Sequence, residues 1–239
     1  IKKAMDQSVV IANGVDWPRL DEVYERRIER SHPLLGDGGQ EGPNLFWGGR
    51  LANQKKPRVT FPLMARVMMA GDASGLDCRW LVSTNRPQSD SDVAWARESF
   101  ADMGMELYAD VDRTAFFGLM ATGDVFMCDS PSESYGVAWL EMLAVGMLGV
   151  FAPAWWNKTL LPEWYPFRAE SEEQRIQMAV ALLKQWPDGE LWTKYVPMVR
   201  EWIRDEHNEQ TAGARLGDLL KEEHEKALIE DASKGTSSI

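Results

Sequence analysis

From Asn44 onward short apolar runs alternate with longer stretches of helical period, and this alternation restricts the fold more than any other feature of the chain. Parallel strands covered on both faces read as unbroken apolar runs, and each pair needs a crossover long enough to hold a helix. The pattern predicts strands at 44–48, 77–83, 105–109, 124–128 and 148–152, with helices at 59–69, 92–103, 113–121 and 137–145 between them. Right-handed crossovers of that length give an α/β fold, a doubly wound parallel (Rossmann-like) sheet. Ahead of it, 8–11 reads as a short strand or linker closed by the Asn13-Gly14 turn, 20–30 as a charged helix, and 32–43 as a Gly- and Pro-rich loop. Behind it, 172–185, 191–205 and 216–232 read as extra C-terminal amphipathic helices, followed by a frayed tail at 233–239. The division is therefore 1–43 (linker strand, helix and loop), 44–165 (nucleotide-binding sheet) and 166–239 (helices and tail).

A chain of 239 residues that is 44% hydrophobic and 26% charged can bury a substantial core without staples. Its net charge of -11, with no Lys/Arg-rich run, argues against direct binding of nucleic acid or anionic membrane. Cys78 and Cys128 each sit in an apolar run and are expected to be buried free thiols, which fits a cytoplasmic location. The stretch from Gly136 to Trp156 approaches the length of a membrane span, but Glu141, Gly146 and Gly149 within it favour a buried helix running into a buried strand. His32, His207 and His224 lack zinc-ligand spacing and are expected at the surface, so no metal site is assigned.

Open sheets of this kind bind ligands beyond the carboxyl ends of their strands, which directs attention to four loops. After the fourth strand, Pro131-Ser132-Glu133-Ser134-Tyr135-Gly136 leads into Trp139-Leu140-Glu141-Met142-Leu143-Ala144-Val145-Gly146. A small-residue turn that opens a helix there aims unpaired N–H groups and the positive dipole end at the crevice, which suits an anion. Glu133 can then accept hydrogen bonds from sugar hydroxyls, and Glu141 lies about two turns along on a similar face. The plainer alternative makes Glu133 a dipole-complementing charge and Glu141 a solvated one. Apolar neighbours on every side of Glu141 favour burial instead, and a buried carboxylate needs a partner. After the first strand, Gly48 and Gly49 allow close backbone approach, and Arg50 and Lys55 can neutralise a diphosphate without a metal. Taken alone, those two cations are ordinary solvated loop charges.

Taken together, Asn13-Gly14-Val15-Asp16, Gly49-Arg50-Leu51 with Lys55, and Glu133 to Gly136 with Leu140-Glu141 and Ala144-x-Gly146 resemble the successive signatures of the family-4 glycosyltransferases of the GT-B fold. The resemblance covers residues 10–150 and identifies the sheet with the C-terminal, donor-binding half of such an enzyme. It implies a retaining hexosyltransferase that uses a nucleotide-diphosphate sugar as donor substrate, with no cofactor and no bound metal. By that analogy Arg50, Lys55 and Glu133 form the catalytic set. Gly49, Arg50 and Lys55 then hold the diphosphate, the backbone of Ser134, Tyr135 and Gly136 holds phosphate or sugar oxygens, and Glu133 contacts the transferred sugar. Glu141 takes the ribose, and Arg86 and Tyr108 border the base. Fixed cations and N–H groups stabilise the departing diphosphate electrostatically.

The sequence departs from the family pattern in places. Ser134 stands where glycine is usual, Met142 where alanine is common, Leu148-Gly149 in place of a proline-containing step, and Ser83-Thr84-Asn85-Arg86-Pro87 in place of a glycine-rich tip. GT-B enzymes hold the acceptor in an N-terminal domain, whereas here the signatures start at Asn13. The expectation is therefore a donor half that works with an N-terminal acceptor-binding domain or chain, with Trp155, Trp156 and Trp164 either near that interface or simply packed. The acceptor is left open among lipid, glycan, protein, metabolite and modified nucleobase. The alternative is a non-catalytic docking or regulatory module that kept the half-fold. Asp90-Ser91-Asp92 and Asp110-Val111-Asp112 read as helix caps rather than metal ligands, and no Gly-x-Gly-x-x-Gly, Walker or Gly-x-Ser-x-Gly motif occurs.

Overall fold

The structure is a computed structural model that describes residues 15–31, 42–84, 90–133, 136–207 and 221. The predicted strand and turn at 8–14 lie outside those residues, as do the loop tip at 85–89 and, apart from residue 221, the last predicted helix and tail. The elements, in chain order, are α1 (Trp17–Ser31), β1 (Asn44–Gly48), α2 (Pro57–Asp72), β2 (Arg79–Ser83), α3 (Asp90–Phe100), β3 (Met105–Tyr108) and α4 (Arg113–Met120). They continue with β4 (Val125–Cys128), α5 (Val137–Ala144), β5 (Leu148–Phe151), α6 (Asn157–Leu160), α7 (Glu172–Lys184) and α8 (Glu190–Glu206).

The five strands form one parallel sheet in the order β3-β2-β1-β4-β5. The strand order reverses between β1 and β4, so the loops after these two strands flank the switch point where such sheets bind ligands. Helices α2 and α7 pack together over one face, while α5 and α8 pack together against β5 on the other. The first predicted strand, 44–48, matches β1, and the other four run one or two residues long because pairing sets their ends. β2 begins at Arg79, opposite Asn44, and β3 ends at Tyr108, opposite Ser83, before Asp110 takes a left-handed φ of 56°.

Aromatic rings fill both sides of the sheet. Phe61 of α2 meets Trp47, Trp80, Trp95 and Phe100 with centroids 5.2–6.0 Å apart, and Phe126 stacks on Trp139 at 5.8 Å. At the β5 edge the fully buried Tyr165 hydroxyl accepts from Gly149 N–H (2.9 Å) and donates to Gly149 O (2.8 Å). A Cβ at Gly149 would stand 2.2 Å from Phe126 Cζ, so the bare backbone there is a packing requirement.

α1 buries Leu20, Val23 and Arg27 at helical spacing, and Arg27 reaches the amino end of β4. There the fully buried Asp124 accepts from Arg27 Nη2 (2.8 Å), from Arg30 Nη2 (2.7 and 2.8 Å) and from Asn44 N–H (2.8 Å). Arg27 Nε also donates to Gly123 O at 2.9 Å. Burial pushes the Arg27 guanidinium below its usual range, and the Asp124 carboxylate opposes that shift. Asp124 thus ties the helix ahead of the sheet to the strand edge opposite the ligand loops.

Several sequence expectations change. Cys128 is buried in β4 and free, but Cys78 precedes β2 and is only half-buried. His207 is buried rather than at the surface, its ring packed edge-on 4.8 Å from Trp202 at the end of α8. Trp156 is a core residue whose Nε1 donates to Ser130 O (2.9 Å), whereas Trp155 and Trp164 are exposed. The stretch from Gly136 to Trp156 holds α5 and β5, and among the described residues no helix is long and apolar enough to cross a membrane.

Candidate functional site

The loop after β1 is stiff. Gly49 N–H bonds to Ser83 O (3.1 Å), buried Leu51 anchors the loop with its N–H 3.3 Å from Thr84 Oγ1, and Asn53–Lys55 form one 3-10 turn. Lys56 then turns left-handed (φ 48°) and Pro57 opens α2. Arg50 is left exposed beside the crevice while Lys55 is folded inward.

The segment after β4 is sewn to that loop. Ser130 Oγ donates to Gln54 O (3.1 Å), and Gln54 Nε2 donates to Ser132 O (2.9 Å). Beneath them Asp129 is buried and ion-paired with Arg175 of α7; burial pushes its carboxyl above the usual range, against the pull of Arg175 and Thr60. The result is that Glu133 arrives at Lys55. Its Oε1 accepts from Lys55 Nζ and from Trp139 Nε1 (3.0 Å), with Lys55 Nζ 5.1 Å from the Trp139 ring centre.

α5 starts at Gly136, whose φ of 70° is left-handed. A Cβ there would press on Leu160 Cδ2 at 3.1 Å and Trp139 Cδ1 at 3.2 Å, so both conformation and space call for glycine. Ala138, in the first turn of α5, lines the crevice, which puts the unbonded N–H end of this helix at the site. Glu141 lies one turn further on with 1% exposure. Its carboxylate is clasped by the Arg113 guanidinium, Nη1 to Oε2 at 3.0 Å and Nη2 to Oε1. Burial raises the Glu141 carboxyl above its usual range, and Arg113 works the other way. The solvated alternative for Glu141 therefore fails, and the partner its burial demanded is Arg113.

Arg50, Lys55, Arg113 and Ala138 face one open cleft of about 250 Å³ at the carboxyl edge of the sheet. Gly49, Arg50, Lys55, Ser83, Val111 to Arg113, Phe116 and Ala138 line it. Of the residues singled out from sequence, Gly49, Arg50 and Lys55 line the cleft directly, while Glu133 and Glu141 are joined to it through Lys55 and Arg113. Gly136 opens the adjoining helix. Ser134, Tyr135 and Arg86 lie outside the described residues. Tyr108 is not among the lining residues: its hydroxyl donates to Glu106 Oε2 (2.7 Å), and Arg79 donates to both oxygens of the same carboxylate, Nε to Oε1 at 3.0 Å and Nη2 to Oε2 at 3.1 Å. Asp112 caps α4 through Ala115 N–H (2.8 Å), as its position suggested. Sequence reasoning missed Arg113 and the Trp139 donor; the available signal was the need of a buried Glu141 for a cation from a neighbouring carboxyl-edge loop.

No protein-family model and no curated protein matches the sequence. Solved structures do match in fold. A glycosyltransferase from Rickettsia africae superposes with a TM-score of 0.66 at 15% identity, over 91% of this chain and 57% of its own. Anabaena Alr3699/HepE, solved with UDP and glucose, gives 0.65 at 14% identity, over 90% and 57%. The pneumococcal O-GlcNAc transferase GtfA, solved with UDP and GlcNAc, gives 0.55 at 15% identity, over 76% and 36%. The chain thus spans between about a third and just over half the length of these proteins. At this identity the likeness is one of fold: a Rossmann-like parallel sheet shared with glycosyltransferases of the GT-B type.

Proposed function

We propose that this chain is the donor-binding half of a retaining, nucleotide-sugar-dependent glycosyltransferase of the family-4 kind. One observation carries the reading: Arg50 and Lys55 stand in the same cleft as the first turn of α5, with Glu133 and Glu141 joined to it by ion pairs. A donor diphosphate would lie against Arg50, Lys55 and the opening N–H groups of α5, where fixed positive charge stabilises it as it departs. Glu133 would hold hydroxyls of the transferred sugar, released to do so as the phosphate draws Lys55 away. Glu141 would hold the ribose. The UDP complexes of two neighbours make UDP-sugars the first donors to try. The acceptor would be held by a separate N-terminal domain or chain.

A melting screen over UDP-, GDP- and ADP-sugars tests this. A fitting donor at a hundred times its Kd should raise the melting temperature by about 5–10 °C. Arg50→Ala and Glu141→Gln should lose that rise; Glu141→Gln should do so with little change in its own ligand-free melting point, since burying an amide costs less than burying a carboxylate. No rise with any nucleotide sugar favours the docking-module alternative.

A further inference from the structure

The Glu141 carboxylate has almost no surface of its own. Its side chain is 2% exposed, whereas the Arg113 guanidinium that clasps it is 57% exposed and forms part of the cleft wall. A ligand in the cleft can therefore reach Glu141 only where Arg113 now stands. The two groups are also unequal in what separation costs them. Arg113 can move into water or onto another anion, giving up in exchange only the contact of its guanidinium carbon with the Phe117 ring, whose centre is 4.5 Å away. Glu141 cannot be left bare, because a buried carboxylate without donors is strongly disfavoured. Asp16 adds to that cost by raising the negative potential around it. Arg113 can leave only when other donors arrive at the same two oxygens.

A vicinal diol supplies those donors in a similar geometry, two O–H groups for two N–H groups. Arg113 lines the same cleft as Arg50 and Lys55, so the freed guanidinium would face the diphosphate those two cations hold. We propose that Arg113 is an exchange residue: on donor binding it cedes Glu141 to the ribose diol and turns onto the diphosphate as a third cation. The proposal rests on the donor-half reading and extends it to a residue outside the family signatures. No bond is made or broken; a bidentate ion pair is traded for a diol–carboxylate pair and a guanidinium–phosphate pair.

Inorganic pyrophosphate and uridine separate the two halves of the exchange. In Arg113→Ala, pyrophosphate should bind about tenfold or more weakly because a charged donor is lost. Uridine should bind about threefold or more tightly, because nothing has to be displaced from Glu141. 2′,3′-Dideoxyuridine, which lacks the diol, should show no such gain. Arg113→Gln keeps a neutral donor for Glu141 should the alanine variant fold poorly, and it too should lose pyrophosphate affinity. Unchanged pyrophosphate binding, or weaker uridine binding in both variants, overturns the exchange and leaves Arg113 as a prop for Glu141. If the unaltered chain binds UDP and Arg50→Ala abolishes this while both Arg113 variants match the unaltered chain, the exchange fails alone. If the unaltered chain binds neither UDP nor pyrophosphate, the donor reading fails with it.

Discussion

Asp124→Ala should destabilise the chain by about 3–5 kcal/mol, the range seen when one member of a buried ion pair is removed. Asp124 is fully buried and is shared by Arg27 and Arg30, whose side chains are 6% and 17% exposed. Removing it strands the enclosed Arg27 guanidinium, the partly buried Arg30 guanidinium and the Asn44 N–H at the amino edge of the sheet. Arg27 and Arg30 also lie over Trp192 and Trp186, each at 5.3 Å, so detachment loosens the packing of the late helices as well. For a chain of this length the loss corresponds to a melting point lower by roughly 6–20 °C at neutral pH. Asp124→Asn, which keeps an acceptor, should fall in between. Circular dichroism melts of the three proteins decide the matter, and a loss below about 1 kcal/mol for Asp124→Ala would show that the clamp is not a main support. Because Asp124 lies at the edge opposite the cleft, whatever folds should keep its ligand affinity.

The largest functional effect is expected at Lys55. Lys55→Met keeps an apolar stem against Trp139 but removes the ammonium that lies in the cleft and on Glu133. Loss of a charged donor to phosphate is expected to weaken UDP binding by about 10- to 150-fold. The same change leaves the Glu133 side chain, only 7% exposed, with the Trp139 indole N–H still donating to it but no cation beside it, so stability should fall too. Adding Glu133→Gln separates the two effects. The double variant should recover most of the lost stability, because no unpaired buried charge is left, yet it should stay as weak for UDP as Lys55→Met alone. Full recovery of UDP affinity in the double variant would mean that Lys55 serves only to hold Glu133. Calorimetric titration with parallel melts gives both numbers.

Much of the sheet could be read directly from the chain, since unbroken apolar runs such as Leu45-Phe46-Trp47 and Val125-Phe126-Met127 have few other uses than a strand covered on both faces. The convergence of Gly49, Arg50 and Lys55 with the Glu133 segment followed from topology, because loops at the carboxyl ends of β1 and β4 must adjoin at the switch point. The particular pairings were less accessible. Nothing local marks Arg113 as the partner of Glu141, 28 residues away, or Arg175 as that of Asp129, 46 away. Such pairs are set by how helices pack on the sheet, and the hydrophobic period that locates a helix is silent on which of its charges turns inward. Tyr108 holds a further pairing that the strand pattern leaves unspecified: Glu106, two residues back on the same face of β3, accepts from its hydroxyl. The lack of metal-ligand spacing around His207 carries no information about its burial against Trp202.

A crystal structure of this chain grown with UDP is the most direct test of the central claim. The diphosphate should lie between the Arg50 and Lys55 side chains and the first turn of α5, with the ribose on the Glu141 carboxylate. Density for the nucleotide elsewhere, or in the cleft with its phosphates turned away from Arg50 and Lys55, would contradict it.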